Sequence, residues 1–382
     1  MIKQVCIKNF KSLNDVSVDL ESVTVLVGRS GTGKSNFFDG LKFLRDCVNS
    51  RNGEAASNNQ GGWARIIPAT ANGPVDISFS VRFAGPGIND EYEYFLVFRQ
   101  RPNSGLQLTE EKLSLGRRLL FHRDAQKWVH APPVVNPASP SSGALMLGAV
   151  TGVREISRAQ SLLGNGLAFY AFPDEVLLLP KSGASRPQTG LSEKGENFLE
   201  MLIAIDIDPQ AWNHQQEMVA ALRQLNPSIK SVELSMPGRE KIVVSHEVAG
   251  RLLPLELIYE SEGLRRLLAH LIALYQTPAK QALFFEEPEK GIHPGALAVL
   301  AEEFKNCPNA GRGQIVLTTH SPQLLDHFDP EQLRVVEIEN YFTKIGPIAP
   351  EQVETIREQL LHPGELLTVD SARLATSASE GE

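Results

Sequence analysis

An α/β fold built on a parallel sheet is predicted by three strand ends in this chain of 382 residues. Val23 to Val27 is an apolar run that leads into GRSGTGKS, Gly28 to Ser35, and then into the helix-like segment Asn36 to Arg45. Leu283-Phe284-Phe285 runs into the adjacent carboxylates Glu286 and Glu287 within FFEEPEKGIHP. Gln314 to Thr319, QIVLTT, finishes at His320-Ser321-Pro322. Short, wholly apolar runs of this kind suit strands covered on both faces, the usual state of a parallel sheet.

The first strand end is a complete G-x-x-x-x-G-K-S phosphate loop in the context the motif needs, between a strand and a helix N-terminus. Its glycines let backbone amides converge on phosphate oxygens, and the helix dipole adds partial positive charge. Lys34 is expected to reach the β- and γ-phosphates, and Ser35 to hold Mg²⁺ through its hydroxyl.

At the second strand end, one carboxylate can bind Mg²⁺ through its water shell while its neighbour polarises a water attacking a γ-phosphate. At the third, His320 is expected to point into the crevice where open α/β sheets bind ligands and to sense the γ-phosphate there. Between them, Leu264, Leu267, Leu268, Leu271, Ile272 and Tyr275 follow helical spacing with one buried face. Ser261 is a natural N-cap for that helix, and its free amides and hydroxyl could grip a phosphate held by a second subunit.

The order of these motifs resembles the ATPase heads of the SMC/RecF-like branch of the ABC superfamily, above all its short bacterial AAA-family members. The opening IKNFKSLNDVSVDL (Ile7 to Leu20), GTGKSN (Gly31 to Asn36), the EEPE-x-G-x-HP block and THSP carry the likeness. Ser261-Glu262-Gly263 matches the signature S-x-G, and LSEKGENFLEML (Leu191 to Leu202) is similar to an element preceding the second lobe. The likeness covers residues 1–50 and 255–340 well and the middle loosely. It implies a P-loop NTPase of the ABC-head type, with a flanking antiparallel β-subdomain and a helical insertion, dimerising around two ATP molecules.

Residue by residue, the likeness implies a nucleotide-binding set of Gly28, Ser30, Gly31, Gly33, Lys34, Ser35 and Asn36, with Ser261 and Gly263 reaching the other subunit's ATP. Ser35 and Glu286 become the Mg²⁺ positions, Glu287 the general base and His320 the switch histidine. Residues Glu289 to His293 would touch the opposite subunit. Gln60 and Arg65, in NNQGGWARIIP, are candidates for a glutamine-loop residue and an arginine contact, with an ordinary surface loop as the alternative. Two positions depart from the pattern. Ser30 stands where relatives usually have Asn, and Glu286 where many have Asp, which is expected to slow hydrolysis.

Composition agrees with a soluble cytoplasmic protein. Hydrophobic residues make up 42% and charged residues 21%, ordinary values for a globular chain. Apolar runs fall short of a membrane span, and Met1-Ile2-Lys3 reads as a strand start. Cys6, Cys47 and Cys307 show neither metal spacing nor a disulfide framework. The net charge of −8 opposes approach to nucleic acid. Direct contact would need local basic pairs such as Arg99 and Arg101, Arg117-Arg118 or Arg265-Arg266, which solvated faces explain equally well.

Punctuation suggests an N-terminal lobe over 1–145, a mixed, partly helical insertion over 146–250, a C-terminal lobe over 251–363 and a flexible tail over 364–382. Val75 to Phe83 and Tyr92 to Arg99 alternate across the turn-like GPGIND and predict an antiparallel hairpin. Pro132 to Gly143 and Lys181 to Gly190 read as exposed loops. Neither long heptad arms nor an appended metal-binding nuclease domain is visible. The chain is therefore expected to be a switch for a separate effector, a nuclease or toxin, in antiviral defence or DNA repair. The setting is analogy alone. A transporter ATPase subunit, a non-hydrolysing ATP-dependent scaffold and a small-molecule P-loop kinase are the rival readings.

Overall fold

The computed structural model describes residues 1–85, 87, 90–101, 105–124, 127–132, 144–178, 190–207, 212–235 and 241–375. The chain divides into two compact units, each gathered from separated stretches. Met1–Leu167, Pro330–Leu361 and Val369–Glu382 make the first; Ala168–Asp329 and His362–Thr368 make the second. These units cut across the expected segment boundaries because strand pairing gathers distant residues. Leu333–Glu339 returns late in the chain to pair in parallel with Val23–Val27, Leu333 lying opposite Val25.

In the first unit, a seven-stranded sheet runs in the spatial order Leu13–Asp19, Ile2–Phe10, Val75–Phe83, Tyr92–Arg101, Gly105–Leu115, Arg118–Asp124, Trp128–His130. All its pairings are antiparallel. The expected hairpin is there, although part of its GPGIND turn lies outside the described residues. Ile77 faces Phe98, Phe79 faces Leu96, Val81 faces Tyr94 and Phe83 faces Tyr92. All of these side chains are buried, which is what period-two alternation encodes when one face meets a core.

That face receives the helix Lys34–Ser50. The Phe43 ring lies 5.7 Å from Phe10, 5.6 Å from Phe79 and 5.8 Å from Phe98. Burying one such ring stabilises by about 1.5–3 kcal/mol, with more from ring-to-ring contact. Gly40 lets the helix sit close, since a Cβ there would come within 2.9 Å of Ile7 Cδ1. The helix is thus fixed on the sheet, and the phosphate loop at its N-terminus is fixed with it.

A charged cluster is sealed into the same unit. Glu111 is fully buried and lies 3.2 Å from Arg123. It accepts hydrogen bonds from Tyr94 Oη and from the amides of Met146 and Leu147. Each carboxylate oxygen is therefore occupied, the condition under which a buried ion pair is tolerated.

The second unit holds the strands Gln314–Thr319 and Ala282–Glu286 and, from Ala168 on, Leu167–Tyr170, adjacent in that order. The first two are parallel, with Ala282 opposite Gln314 and Glu286 opposite Thr318. A separate three-stranded antiparallel sheet comprises Ile229–Leu234, Ile242–Val248 and Arg251–Glu256. Helices Phe198–Ile207 and Trp212–Leu225 precede it.

Two expectations need correction. The helix Glu262–Tyr275 is buried almost all round rather than on one face, with Arg265 and His270 inside. Arg265 is held by both oxygens of Asp174 and by the Glu260 carbonyl. His270 lies against the rings of Phe172, Phe285 and Phe304. The described part of the expected flexible tail is also tied down. Gly364 donates to Asp326, Gln352 donates to Asp370, and Leu374 bridges to Ile348. Residues 133–143 and 181–189 of the two expected loops lie outside the described residues.

Candidate nucleotide site

In the first unit, Gly28–Ser35 arches from the buried strand Val23–Val27 to the helix Lys34–Ser50. Two glycines are required by geometry. A Cβ on Gly28 would stand 2.2 Å from the Val336 carbonyl oxygen. Gly33 adopts φ 104°, and a Cβ there would meet Thr343 Oγ1 at 2.0 Å. Lys34 is buried, its ammonium donating to the carbonyls of Gly28 at 2.7 Å and Arg29 at 2.9 Å. Ser30, Gly31 and Ser35 are exposed on the loop.

A chain of hydroxyls braces the loop from outside. Asn36 Nδ2 donates to Ser12 Oγ at 2.8 Å, and Ser12 lies 2.6 Å from Thr343 Oγ1. Thr343 Oγ1 donates to the Thr32 carbonyl at 2.8 Å. Since the Thr343 hydrogen is used there, Ser12 is the donor to Thr343. Beside this chain opens a cleft of about 610 Å³ whose lining includes Lys11, Ser12, Gln60, Arg65, Tyr341 and Phe342. Gln60 caps the short helix Gly53–Asn59, and its Oε1 lies 3.5 Å from Lys11 Nζ, which is paired with Asp39 at 2.6 Å. Gln60 and Arg65 thus share a cleft with the residue that touches Asn36.

In the second unit, Glu286 closes its strand and Glu287 follows at φ 47°. A non-glycine residue in that left-handed region is disfavoured by roughly 1–2 kcal/mol. The Glu287 amide offsets part of this by donating to both the carbonyl and the hydroxyl of Thr318. The turn aims the Glu287 carboxylate at His320, whose Nε2 lies 3.5 Å from Oε1. Lys290 pairs with the other oxygen. Glu286, Glu287, Lys290, Arg266, His270 and Phe172 line a cleft of about 310 Å³. Burial among apolar rings pulls His270 down to about 4, and its Nδ1–H donates to the Arg266 carbonyl at 2.7 Å. It is a neutral structural histidine.

The signature lies in the same unit. Ser261 caps the helix Glu262–Tyr275, its exposed hydroxyl oxygen accepting from Leu264 N at 3.3 Å. Gly263 abuts the Glu289–His293 loop so closely that a Cβ would approach the Gly291 carbonyl oxygen at 3.2 Å. The described structure therefore brings Glu286, Glu287 and His320 together, and joins Ser261 and Gly263 to the loop that follows them.

Two family profiles match the sequence. One, described as "AAA ATPase domain", covers residues 1–78. The other, described as "AAA domain, putative AbiEii toxin, Type IV TA system", covers residues 152–326. Among solved structures, an SMC head bound to the C-terminal winged-helix domain of ScpA is similar at 14% identity and TM-score 0.56, covering 93% of this chain and 99% of that one. A Pyrococcus furiosus SMC head with an extended coiled coil, bound to the C-terminal domain of ScpA, gives 14% identity and TM-score 0.52 over 94% and 99%. Residues 1–78 and 152–326 thus match AAA-family domain models, and the chain has the fold of a short SMC-like head. No curated protein compared with this head matches it significantly in sequence.

The residues of the head fit a magnesium nucleotide. Lys34 presents a buried ammonium to backbone oxygens, and the Gly33 cradle has no room for a side chain. Ser35 in the first unit and Glu286 in the second are each an oxygen donor of the kind that Mg²⁺ selects. Several basic candidates for nucleic-acid contact are engaged with acids. Arg99 pairs with Asp76, Arg118 with Glu155, Arg265 with Asp174 and Arg266 with Glu262. Among the described residues, no helix is long and apolar enough to cross a membrane.

Sequence reasoning missed Thr343, Lys290 and the side-chain role of Glu289. Thr343 carries no motif at all. Lys290 and Glu289 sit inside a recognised block, but the letters do not say where their side chains turn.

Proposed function

We propose that this head binds Mg-ATP, dimerises around two ATP molecules and hydrolyses them, so that closing and opening control a separate effector protein. The observation that carries the reading is the meeting of Glu287 and His320 at the ends of two parallel strands, 3.5 Å apart. A carboxylate and an imidazole so placed suit one task, steering a water onto a phosphoryl group.

In this reading the phosphates lie on Gly28, Ser30, Gly31, Gly33 and Asn36, with Lys34 exchanging its carbonyl partners for phosphate oxygens. Mg²⁺, when bound by Ser35 and Glu286, would neutralise phosphate charge. Glu287 takes the proton of the attacking water, and His320 hydrogen-bonds the γ-phosphate. Ser261 and Gly263 serve the ATP of a second copy, which accounts for an N-cap hydroxyl left exposed at a helix start.

The effector is inferred to be a nuclease or toxin, in antiviral defence or DNA repair. The ScpA domain held by similar SMC heads supports a partner protein, and the toxin–antitoxin wording of one family description supports a defence setting. The engaged arginines favour contact with nucleic acid through that partner. A cytoplasmic setting follows from the same reading.

The test is light scattering of Glu287→Gln with and without Mg-ATP. A monomer-to-dimer shift that Ser261→Arg abolishes supports the composite dimer. An unchanged mass overturns it and favours a kinase or a constitutive scaffold.

A further inference from the structure

Glu289 stands in the acidic block, and its side chain is held by the end of the neighbouring strand. The backbone from Glu287 to Ile292 folds into two successive tight turns, Lys290 N donating to Glu287 O and Ile292 N to Glu289 O. These turns carry the Glu289 carboxylate to the end of the neighbouring strand. Its Oε1 accepts from Thr319 Oγ1 at 2.9 Å and from the His320 amide at 2.8 Å. Its Oε2 is buried and has no hydrogen-bond partner among the described residues. Both of the side chain's hydrogen bonds therefore fall on Oε1, at the exit of the neighbouring strand.

We infer that Glu289 is a positioning residue for hydrolysis, fixing the backbone of Thr319 and His320 so that the imidazole is held toward Glu287. The inference rests on the proposed roles of Glu287 and His320. The geometry is specific. Thr319 is fully buried, and its Oγ1 also accepts the Ser321 amide, so one hydroxyl and one carboxylate oxygen define the strand exit. The opposite end of the Glu289 loop touches Gly263, the signature glycine. A movement of the signature would therefore reach His320 through a single short loop.

Both bonds fall on one oxygen, and that makes the test sharp. Glu289→Gln keeps an acceptor at that point, whereas Glu289→Ala removes it. In steady-state ATP hydrolysis, Glu289→Ala is expected to lower kcat by ~10–100-fold with KM within about twofold. Glu289→Gln should stay within about threefold of the parent. In nucleotide-free protein carrying ¹³C-labelled histidine, the His320 ring signal should move in Glu289→Ala and hold its place in Glu289→Gln.

Normal turnover and an unmoved ring signal in Glu289→Ala would overturn the inference. So would a Glu289→Gln variant as impaired as the alanine, because charge rather than acceptor geometry would then matter. If Glu289→Ala fails to fold, Thr319→Val and Thr319→Ser carry the same contrast, loss of the hydroxyl against its retention. If the parent protein shows no turnover, the hydrolytic reading falls, and the ring signal alone decides the role of Glu289.

Discussion

The hydroxyls of Ser12 and Thr343 stand 2.6 Å apart although 331 residues separate them in the chain. Ser12 follows the first strand, and Thr343 belongs to the late strand Phe342–Pro347. Their contact joins Asn36 to the Thr32 carbonyl, spanning the phosphate loop from its helix end to its crown. The loop is shaped as much by these side chains as by its own glycines.

Thr343→Val removes the hydroxyl while keeping the volume and leaves the Thr32 carbonyl without that donor. A net hydrogen bond is worth about 1 kcal/mol and an orphaned buried group somewhat more. ATP affinity measured by calorimetry should weaken by about tenfold, while Thr343→Ser should remain within about twofold. Equal affinity in all three proteins would show that the loop holds its shape unaided.

Lys290 pairs with one oxygen of the proposed base. The lysine is two-thirds exposed, so the pair is weakly held and its release is easy. Lys290→Ala should raise basal ATP turnover by about two- to fivefold without changing KM. A fall in turnover would mean that the ammonium assists the reaction instead of restraining it.

His270 gives the second unit a pH signature. Burial places the folded-state value at about 4, below the ordinary value of 6.5. Above pH 6.5 the ring is neutral whether the chain is folded or not. As pH falls from 6.5 towards 4, the unfolded chain takes up a proton that the folded one refuses, so stability is lost across that window. The loss amounts to about 3 kcal/mol at the lower end. Urea unfolding of the parent and of His270→Gln, compared at pH 7 and pH 4.5, should show the gap between them narrowing in acid. A constant gap would place the titration elsewhere.

The three strand ends were legible because each couples a wholly apolar run to contiguous polar letters at its end. The hairpin from Val75 to Arg101 was legible for a similar reason, alternation on one buried face. The environment of Arg265 and His270 was not. Charged letters on a helix signal solvent, and only Asp174, far back in the chain, and the rings around His270 reverse that signal. The loop brace was hidden for another reason, since Ser12 and Thr343 are ordinary residues until strand pairing sets them side by side. The acidic block declared its chemistry, but its letters hid where each carboxylate turns: Glu287 toward His320, Glu289 toward the backbone beneath it.

The wall behind Gly28 is the carbonyl of Val336, and the brace over Gly33 is the hydroxyl of Thr343. During synthesis the chain emerges N-terminus first, so the glycine loop leaves the ribosome long before either of these groups exists. A nascent chain shorter than residue 343 has every letter of the loop and lacks the surfaces that shape it. Binding at the proposed nucleotide site would thereby wait until residue 343 has been made, and shorter chains would have little means of sequestering ATP.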